Sequence, residues 1–473
     1  MPSLSTLVAV AAIPAVVNAY PLNFPGAGRI SNLAKRAQLA LNFVAPSTSP
    51  LVQSPNYAGA ANGTLSKKDV VPGKAFDRLI HIWLENTDAE IAMATPSFSS
   101  LAQHGVTHSQ RYALTHPSEP EYLATVAGDF FGMADDAFYH LPENITTLFD
   151  LFEDGGSAGK PISYACYQEN MPSNGYTGFN YTEHNYLTGN GTYTFYVRKH
   201  NPCAMADFVS GNATRAIEAN RNFNQFSTDL EADALPQWMF ITPNLVNDGH
   251  DTTPAFFSNW TEYFLLPLLN DTRFNNNRTA IILTFDENES YGDPNRIATI
   301  LLGGVVPQSA INTTDSTYYT HYSDISSVEA NWGLKNLGRG DMNKTLANVY
   351  STFAHQLNHT NTEVSGDAIP INNATGVYPG AFSNTQNTDF TFPPNADNNT
   401  LIKAGLNKSM TEQVAFAYQV NLTSQHLPNP YGSNPFPLDY VSRSGSSNGA
   451  AGTSGAGKAV AAIALLAGAA SLL

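Results

Sequence analysis

Short apolar runs recur along the chain, each followed by a polar cluster: Leu79 to Leu84, Ile162 to Ala165, Trp238 to Thr242, Ala280 to Phe285 and Ala298 to Leu302. Their hydrophobicity is continuous rather than alternating, which predicts strands covered on both faces, as a parallel sheet requires. Segments of helical spacing lie between them, at Thr146 to Glu153, Ala204 to Asn212 and Asn259 to Leu269. Strands alternating with helices predict an α/β fold, a mostly parallel sheet with helices on both faces. Residues 170–200 are rich in Gly, Asn and Tyr and read as an excursion over one end of that sheet. Farther on, the chain turns rich in Asn, Pro and Thr, with one more helix expected from Ser409 to Val420.

The polar clusters carry the candidate chemistry. Leu79 to Leu84 runs into Glu85-Asn86, Ala280 to Phe285 into Asp286-Glu287, and Trp238 to Thr242 leads to Asn247-Asp248-Gly249-His250-Asp251. In open α/β sheets ligands bind beyond the carboxyl ends of the strands, so these clusters are expected to converge on one site. Glu85, Asn86, Asp286 and Glu287 offer hard oxygen ligands that suit a divalent metal ion of undetermined identity. No cysteine pair of zinc-ligand spacing occurs, which disfavours a structural zinc site. Ser118 lies in Thr115-His116-Pro117-Ser118-Glu119-Pro120-Glu121-Tyr122, just before Leu123 to Val126, a stretch that can open a helix. A serine there suits an N-cap, and it equally suits an anion site on the helix N-terminus. His81, inside a strand, is expected in the core.

Composition narrows the setting. With 473 residues, 42% of them hydrophobic, the chain has material for a large core and is not disordered. Lys+Arg 23 against Asp+Glu 39 gives a net charge of −16, and no basic run of five or more residues occurs, which argues against a nucleic-acid backbone as partner. Residues 1–19 read as a signal peptide, with the apolar run Leu7 to Val17 and small residues at Val17-Asn18-Ala19. Lys35-Arg36 is a candidate processing site, so 20–70 is expected to be an N-terminal extension or pro-segment before a catalytic domain at 71–440. Residues 441–458 form a Ser/Gly/Ala-rich linker and 459–473 an uncharged apolar tail, the pattern of a GPI (lipid) anchor signal, with Asn448-Gly449-Ala450 offering the attachment site. Sixteen Asn-x-Ser/Thr sequons predict N-glycans. Cys166 and Cys203 allow one pairing, and an oxidising compartment predicts that they form a disulfide. The expected location is therefore outside the cell, at the cell surface or cell wall.

Six motifs in one order carry a resemblance: His-Pro-Ser-x-Pro-x-Tyr-Leu at 116–123, Glu-Asn at 85–86, Lys-His-Asn-Pro at 199–202, Asn-Asp-Gly-His-Asp at 247–251, Phe-Asp-Glu at 285–287 and His-Tyr-Ser at 321–323. Over roughly residues 78–340 the chain resembles the metal-dependent acid phosphatase and phospholipase C (phosphoesterase) family of the alkaline-phosphatase-like superfamily, and within it the fungal secreted acid phosphatases. The resemblance implies a three-layer αβα fold with a mostly parallel central sheet. It also implies hydrolysis of small phosphate monoesters through a phosphoseryl intermediate on Ser118. The implied metal ligands are Glu85, Asn86, Ser118, Asp286 and Glu287. His200 and His250 would touch the phosphoryl oxygens as protonated cations at acidic pH, and His116, Glu121 and His321 complete the substrate side. Glu121 departs from the family, which commonly has Asn there; a carboxylate would repel phosphate unless protonated or turned away. The competing expectations are a phosphodiesterase or phospholipase C of the same superfamily, and a cell-wall glycoprotein that kept the fold and lost catalysis.

Overall fold

All five apolar runs become strands of one sheet in the computed structural model, which describes residues 42–61, 63–290, 294–369, 380–383 and 395–403. The strands are β1 (Arg78–Leu84), β2 (Val106–Arg111), β3 (Tyr164–Gln168), β4 (Asn180–His184), β5 (Thr192–Val197), β6 (Asn220–Asn222), β7 (Trp238–Thr242), β8 (Thr279–Phe285), β9 (Ile300–Leu302) and β10 (Thr313–Tyr319). Eight of them form the sheet in the order β10-β2-β9-β8-β1-β7-β3-β6. Pairing is parallel throughout except at β9, which runs antiparallel to β8 and β2.

The continuous hydrophobicity has the physical cause expected of it. Successive side chains of β1 point to opposite faces: Leu79 and Trp83 enter one core, Ile80, Ile82 and Leu84 the other. The first core is closed by the helices Ser118–Ala127, Leu148–Asp154 and Tyr322–Trp332 through residues such as Leu123, Phe149 and Ile325. The second is closed by Pro96–Ala102, Phe223–Glu231 and Pro254–Leu269 through Phe98, Phe226 and Trp260. The result is the expected αβα three-layer arrangement, with His81 buried in the sheet.

Helix boundaries moved where tertiary contacts competed. The segment Ala204 to Asn212, expected as one helix, is broken into Pro202–Met205 and Asp207–Ser210, with Ala206 extended between them. The break follows from a backbone pairing: Leu141 N donates to Met205 O and Asp207 N donates to Leu141 O. The helix expected from Thr146 spans Leu148–Asp154, because Thr147 and Asp150 form a capping box. The one expected from Asn259 begins earlier, at Pro254–Leu269, with proline in the first turn. The helix expected at Ser409 to Val420, the leader, Lys35-Arg36 and the anchor segment lie outside the described residues.

Within the expected N-terminal extension or pro-segment, 20–70, described residues meet the Phe223–Glu231 helix: Ser54 N, Gly63 N and Leu65 N donate to Asn224, Gln225 and Asp229, and Tyr57 enters the second core. Cys166 and Cys203 are disulfide-bonded, joining β3 to the start of the 202–205 helix three residues beyond His200. By the loop-entropy argument this link contributes about 3–4 kcal/mol, and it fastens the turn that carries Lys199 and His200 to the sheet.

The 170–200 excursion is the antiparallel hairpin β4–β5, seated on Tyr176, Tyr181 and Tyr196. Near its turn Glu183 is held by the Asn170 amide. Burial, reinforced by nearby Glu169, raises the Glu183 pKa from an ordinary 4.5 to about 8. The folded state therefore holds a proton that the unfolded state has lost, and stability falls as pH rises from about 4.5 to about 8. Glu183→Gln removes this dependence. Urea midpoints of the two proteins across that window should differ more at the alkaline end, the wild type being weaker there; parallel curves would refute the assignment.

Candidate active site

The site is built on two neighbouring strands. β1 and β8 are parallel and in register through Leu84 and Phe285, so Glu85 and Asp286 leave the sheet side by side, with Asp286 N donating to Leu84 O at 3.1 Å. Asn86 turns the chain at φ 30°, a region Asn enters more readily than most residues, and its N–H donates to Asp286 Oδ1 at 3.4 Å. Ser118 opens the ten-residue helix Ser118–Ala127 as its first helical residue, after Pro117 at the N-cap. Its hydroxyl caps nothing. It donates to Glu287 Oε1 at 3.1 Å and accepts from Lys199 Nζ at 3.4 Å. His116 Nδ1 is paired with Glu287 Oε2. Thus the structure brings Ser118, His116, Asp286, Glu287, Glu85 and Asn86 together at the carboxyl end of the sheet, at a helix N-terminus that favours anions.

The 3₁₀ turn Arg198–His200 and the loop after β7 close the other side. His200 Nε2 pairs with Glu85 Oε1, and His250 Nε2 lies 3.5 Å from Glu85 Oε2. Glu85, His200 and Asp248 present ligand atoms within 4.8 Å of one another. His250 is oriented by Asp251, whose Oδ1 lies 2.7 Å from its Nδ1, and its backbone N–H donates to Asp248 Oδ1 at 2.8 Å.

The charges are unevenly balanced. Burial works against ionisation of Glu85, yet the charges of His200, Lys199 and His250 hold its carboxyl well below the usual range. Burial, then repulsion from Glu85 and Glu287, pushes Asp286 far up; Asp248 is pushed up by burial and Glu85. Burial also raises Glu287, against the pull of His116. Burial lowers His200 to about 4, so this ring is neutral over most of the acidic range. This opposes the protonated His200 of the resemblance: the desolvation of a wholly buried imidazole acts against its pairing with Glu85. The permanent cation is Lys199, whose pKa burial would lower but Asp136, Glu85 and Asp286 raise.

Two predicted residues sit differently from the rest. Glu121 is buried and turned toward the chain before the helix, where Oε1 accepts the N–H groups of Leu114, at 2.7 Å, and Thr115. His321 is also buried: Arg111, a donor only, lies 3.3 Å from its Nδ1, which leaves the proton on Nε2, 2.7 Å from the Asp286 carbonyl oxygen. Burial and then Arg111 lower its pKa to about 3, so it stays neutral while supporting the Asp286 backbone. Lys199 stands in a quoted motif without an assigned role, and Asp136 gave no signal, because it follows no strand and belongs to no motif.

The donor set fits a divalent cation. Asp286 Oδ2 is buried and receives no hydrogen bond, and four buried carboxylates, Glu85, Asp248, Asp286 and Glu287, meet around one lysine. Such crowding raises pKa values unless a cation offsets it, and all-oxygen donors with a neutral imidazole are what Mg²⁺-like or transition-metal ions accept.

Residues 83–335 match the phosphoesterase family. The chain is 44% identical to a probable acid phosphatase of Kluyveromyces lactis over 70% of its own length and 75% of the relative's. It is 40% identical to an acid phosphatase of Aspergillus fumigatus over 75% of each chain, and 42% identical to a phosphate-repressible acid phosphatase of Penicillium chrysogenum over 66% of this chain and 71% of that one. A match across more than half of the sequence, relatives at this identity and a sheet that gathers the matched motifs at one end lead to one conclusion: the chain belongs to the phosphoesterase family.

Proposed function

We propose that the protein is an acid phosphatase that hydrolyses phosphate monoesters through Ser118. One observation carries this reading: the Ser118 hydroxyl, at a helix N-terminus, is held between a buried carboxylate that accepts its proton and a lysine ammonium that donates to its oxygen. Ser118 Oγ attacks phosphorus in line as its proton passes to Glu287 Oε1; the Oγ–P bond forms, the ester P–O bond breaks, and the leaving oxygen takes a proton from solvent water. Water then cleaves the phosphoserine, releasing phosphate and restoring the hydroxyl. Lys199 and the helix N–H groups offset charge on the transferring phosphoryl group, with His250 at its partly exposed edge. Glu85, Asn86, Ser118, Asp286 and Glu287 would hold the divalent cation, which when bound lowers the hydroxyl pKa and neutralises phosphoryl charge. The curated relatives' names support an acid optimum.

Hydrolysis of p-nitrophenyl phosphate and its bis-ester, followed between about pH 3 and 9 with and without chelator, tests the reading. Monoester turnover that peaks below neutrality and is lost on chelation is expected. A bis-ester preference would select the phosphodiesterase instead, and an inactive protein the non-catalytic alternative.

Secretion, a GPI anchor and N-glycans belong to the same proposal. Among the described sequons Asn190, Asn212, Asn259, Asn270, Asn277, Asn312, Asn343, Asn358 and Asn398 are exposed, which supports glycosylation. Asn288 is 2% exposed and its amide is bonded to Ser290 O and Pro294 O, so it carries no glycan. A mass shift on deglycosylation of the secreted protein, unchanged by Asn288→Gln, checks both points.

A further inference from the structure

We propose that Asp136 is the positioning residue that aims Lys199 at the nucleophile. The inference rests on the phosphatase reading above and adds to it a residue outside every motif.

Asp136 serves two elements from one carboxylate. Its Oδ1 accepts the N–H of Glu119 in the first turn of the Ser118–Ala127 helix at 3.0 Å, and its Oδ2 accepts from Lys199 Nζ at 3.3 Å. The helix that carries Ser118 and the Arg198–His200 turn are thereby held at a set separation. A lysine ammonium ends a flexible four-carbon stem and has no aim of its own, so its direction comes from the acceptors around it. Glu85 Oε1 lies farther from Nζ, at 4.0 Å, and is already paired with His200. Asp136 is therefore the anion that places Nζ beside Ser118 Oγ.

Lysine has three donors. One meets Asp136 Oδ2 and one Ser118 Oγ, which leaves a third for an oxygen of the phosphoryl group. Asp136 is 33% exposed while the carboxylates Glu85, Asp286 and Glu287 are wholly buried, so it stands at the mouth of the site, apart from the metal donor set. Its negative charge at the start of a helix is also favourable to the helix.

The test separates aiming from support. Asp136→Asn keeps an oxygen for the Glu119 N–H and removes the charge that holds Lys199. With p-nitrophenyl phosphate, kcat of Asp136→Asn should fall about 10- to 100-fold with KM changed less than about threefold and the unfolding midpoint close to wild type. Lys199→Ala should lose about 10²- to 10³-fold. In the Lys199→Ala background Asp136→Asn should cost less than about twofold more, because there is no ammonium left to aim. Full additivity of the two losses, an unchanged kcat in Asp136→Asn alone, or a loss that follows only a lowered unfolding midpoint would each overturn the proposal. A wild type without monoesterase activity would overturn the phosphatase reading itself, and this outcome is visible before any variant is compared.

Discussion

Ser118→Ala should lower kcat for p-nitrophenyl phosphate by at least about 10⁴-fold, the scale seen when a covalent nucleophile is removed. Ser118 is the first helical residue and its side chain caps no backbone group, so alanine, the strongest helix former, leaves the helix intact. What is lost is the oxygen that Glu287 Oε1 and Lys199 Nζ both address. Substrate affinity should change far less than kcat, because Lys199, the helix N–H groups and four of the five residues that would hold the cation remain. A phosphoenzyme trapped by acid quenching in the wild type and missing in the variant would place the covalent bond on Ser118. Residual activity above a few per cent would move the nucleophile elsewhere, and a water-based mechanism would then fit better.

The largest stability effect is expected at Arg111, on β2. The guanidinium is wholly buried, 2.7 Å from Asp324 Oδ2, and the same carboxylate faces Tyr350 OH, His81 and Thr125. Asp324 is strained by burial, but Arg111 and then His81 hold its pKa down at about 2. Arg111→Leu leaves that carboxylate buried without its cation, which costs about 3–5 kcal/mol of unfolding free energy at neutral pH. The sign of the pH dependence follows. In the wild type the folded pKa lies below the ordinary 3.8, so the stabilisation is present above that value and is lost as pH falls toward 2. Without Arg111 the folded pKa rises, Asp324 takes up a proton early, and the deficit of the variant shrinks as the solution is acidified. Urea unfolding of both proteins at pH 7 and pH 4 measures this, and a deficit that grows in acid would refute it. Arg111 also donates to His321, which supports the Asp286 carbonyl, so the variant should bind its cation about 10- to 100-fold more weakly.

Much of the scaffold was legible because it depends on local pattern. Continuous apolar runs marked β1, β7 and β8 nearly to the residue, since a strand buried on both faces has no polar side to show. The acidic pairs that follow β1 and β8 could be placed at a site because neighbouring parallel strands end at the same edge of the sheet. Ser118 was legible as a helix start from the residues around it, although sequence alone left it open whether the hydroxyl would cap the helix. The resemblance supplied the roles, and the structure supplied which side chains meet.

The rest depended on contacts between distant segments. Ala204 to Asn212 has helical spacing throughout, yet Leu141 takes its backbone groups and breaks it. Glu121 looked like a charge facing phosphate until the fold supplied two backbone N–H groups to occupy it. Burial draws the His200 pKa down, which no spacing reveals. Asp136 has no strand, motif or neighbour in sequence to mark it; only the approach of the Ser118 helix to the Arg198–His200 turn gives its two oxygens their partners. By itself, then, the sequence determined the strands and the edge of the sheet where chemistry gathers, because periodicity and propensity act within a few residues, and its ordered motifs carried the resemblance to the family. Tertiary structure alone decided charge states and the aim of each side chain, because desolvation and hydrogen bonding are set by groups that lie far apart along the chain.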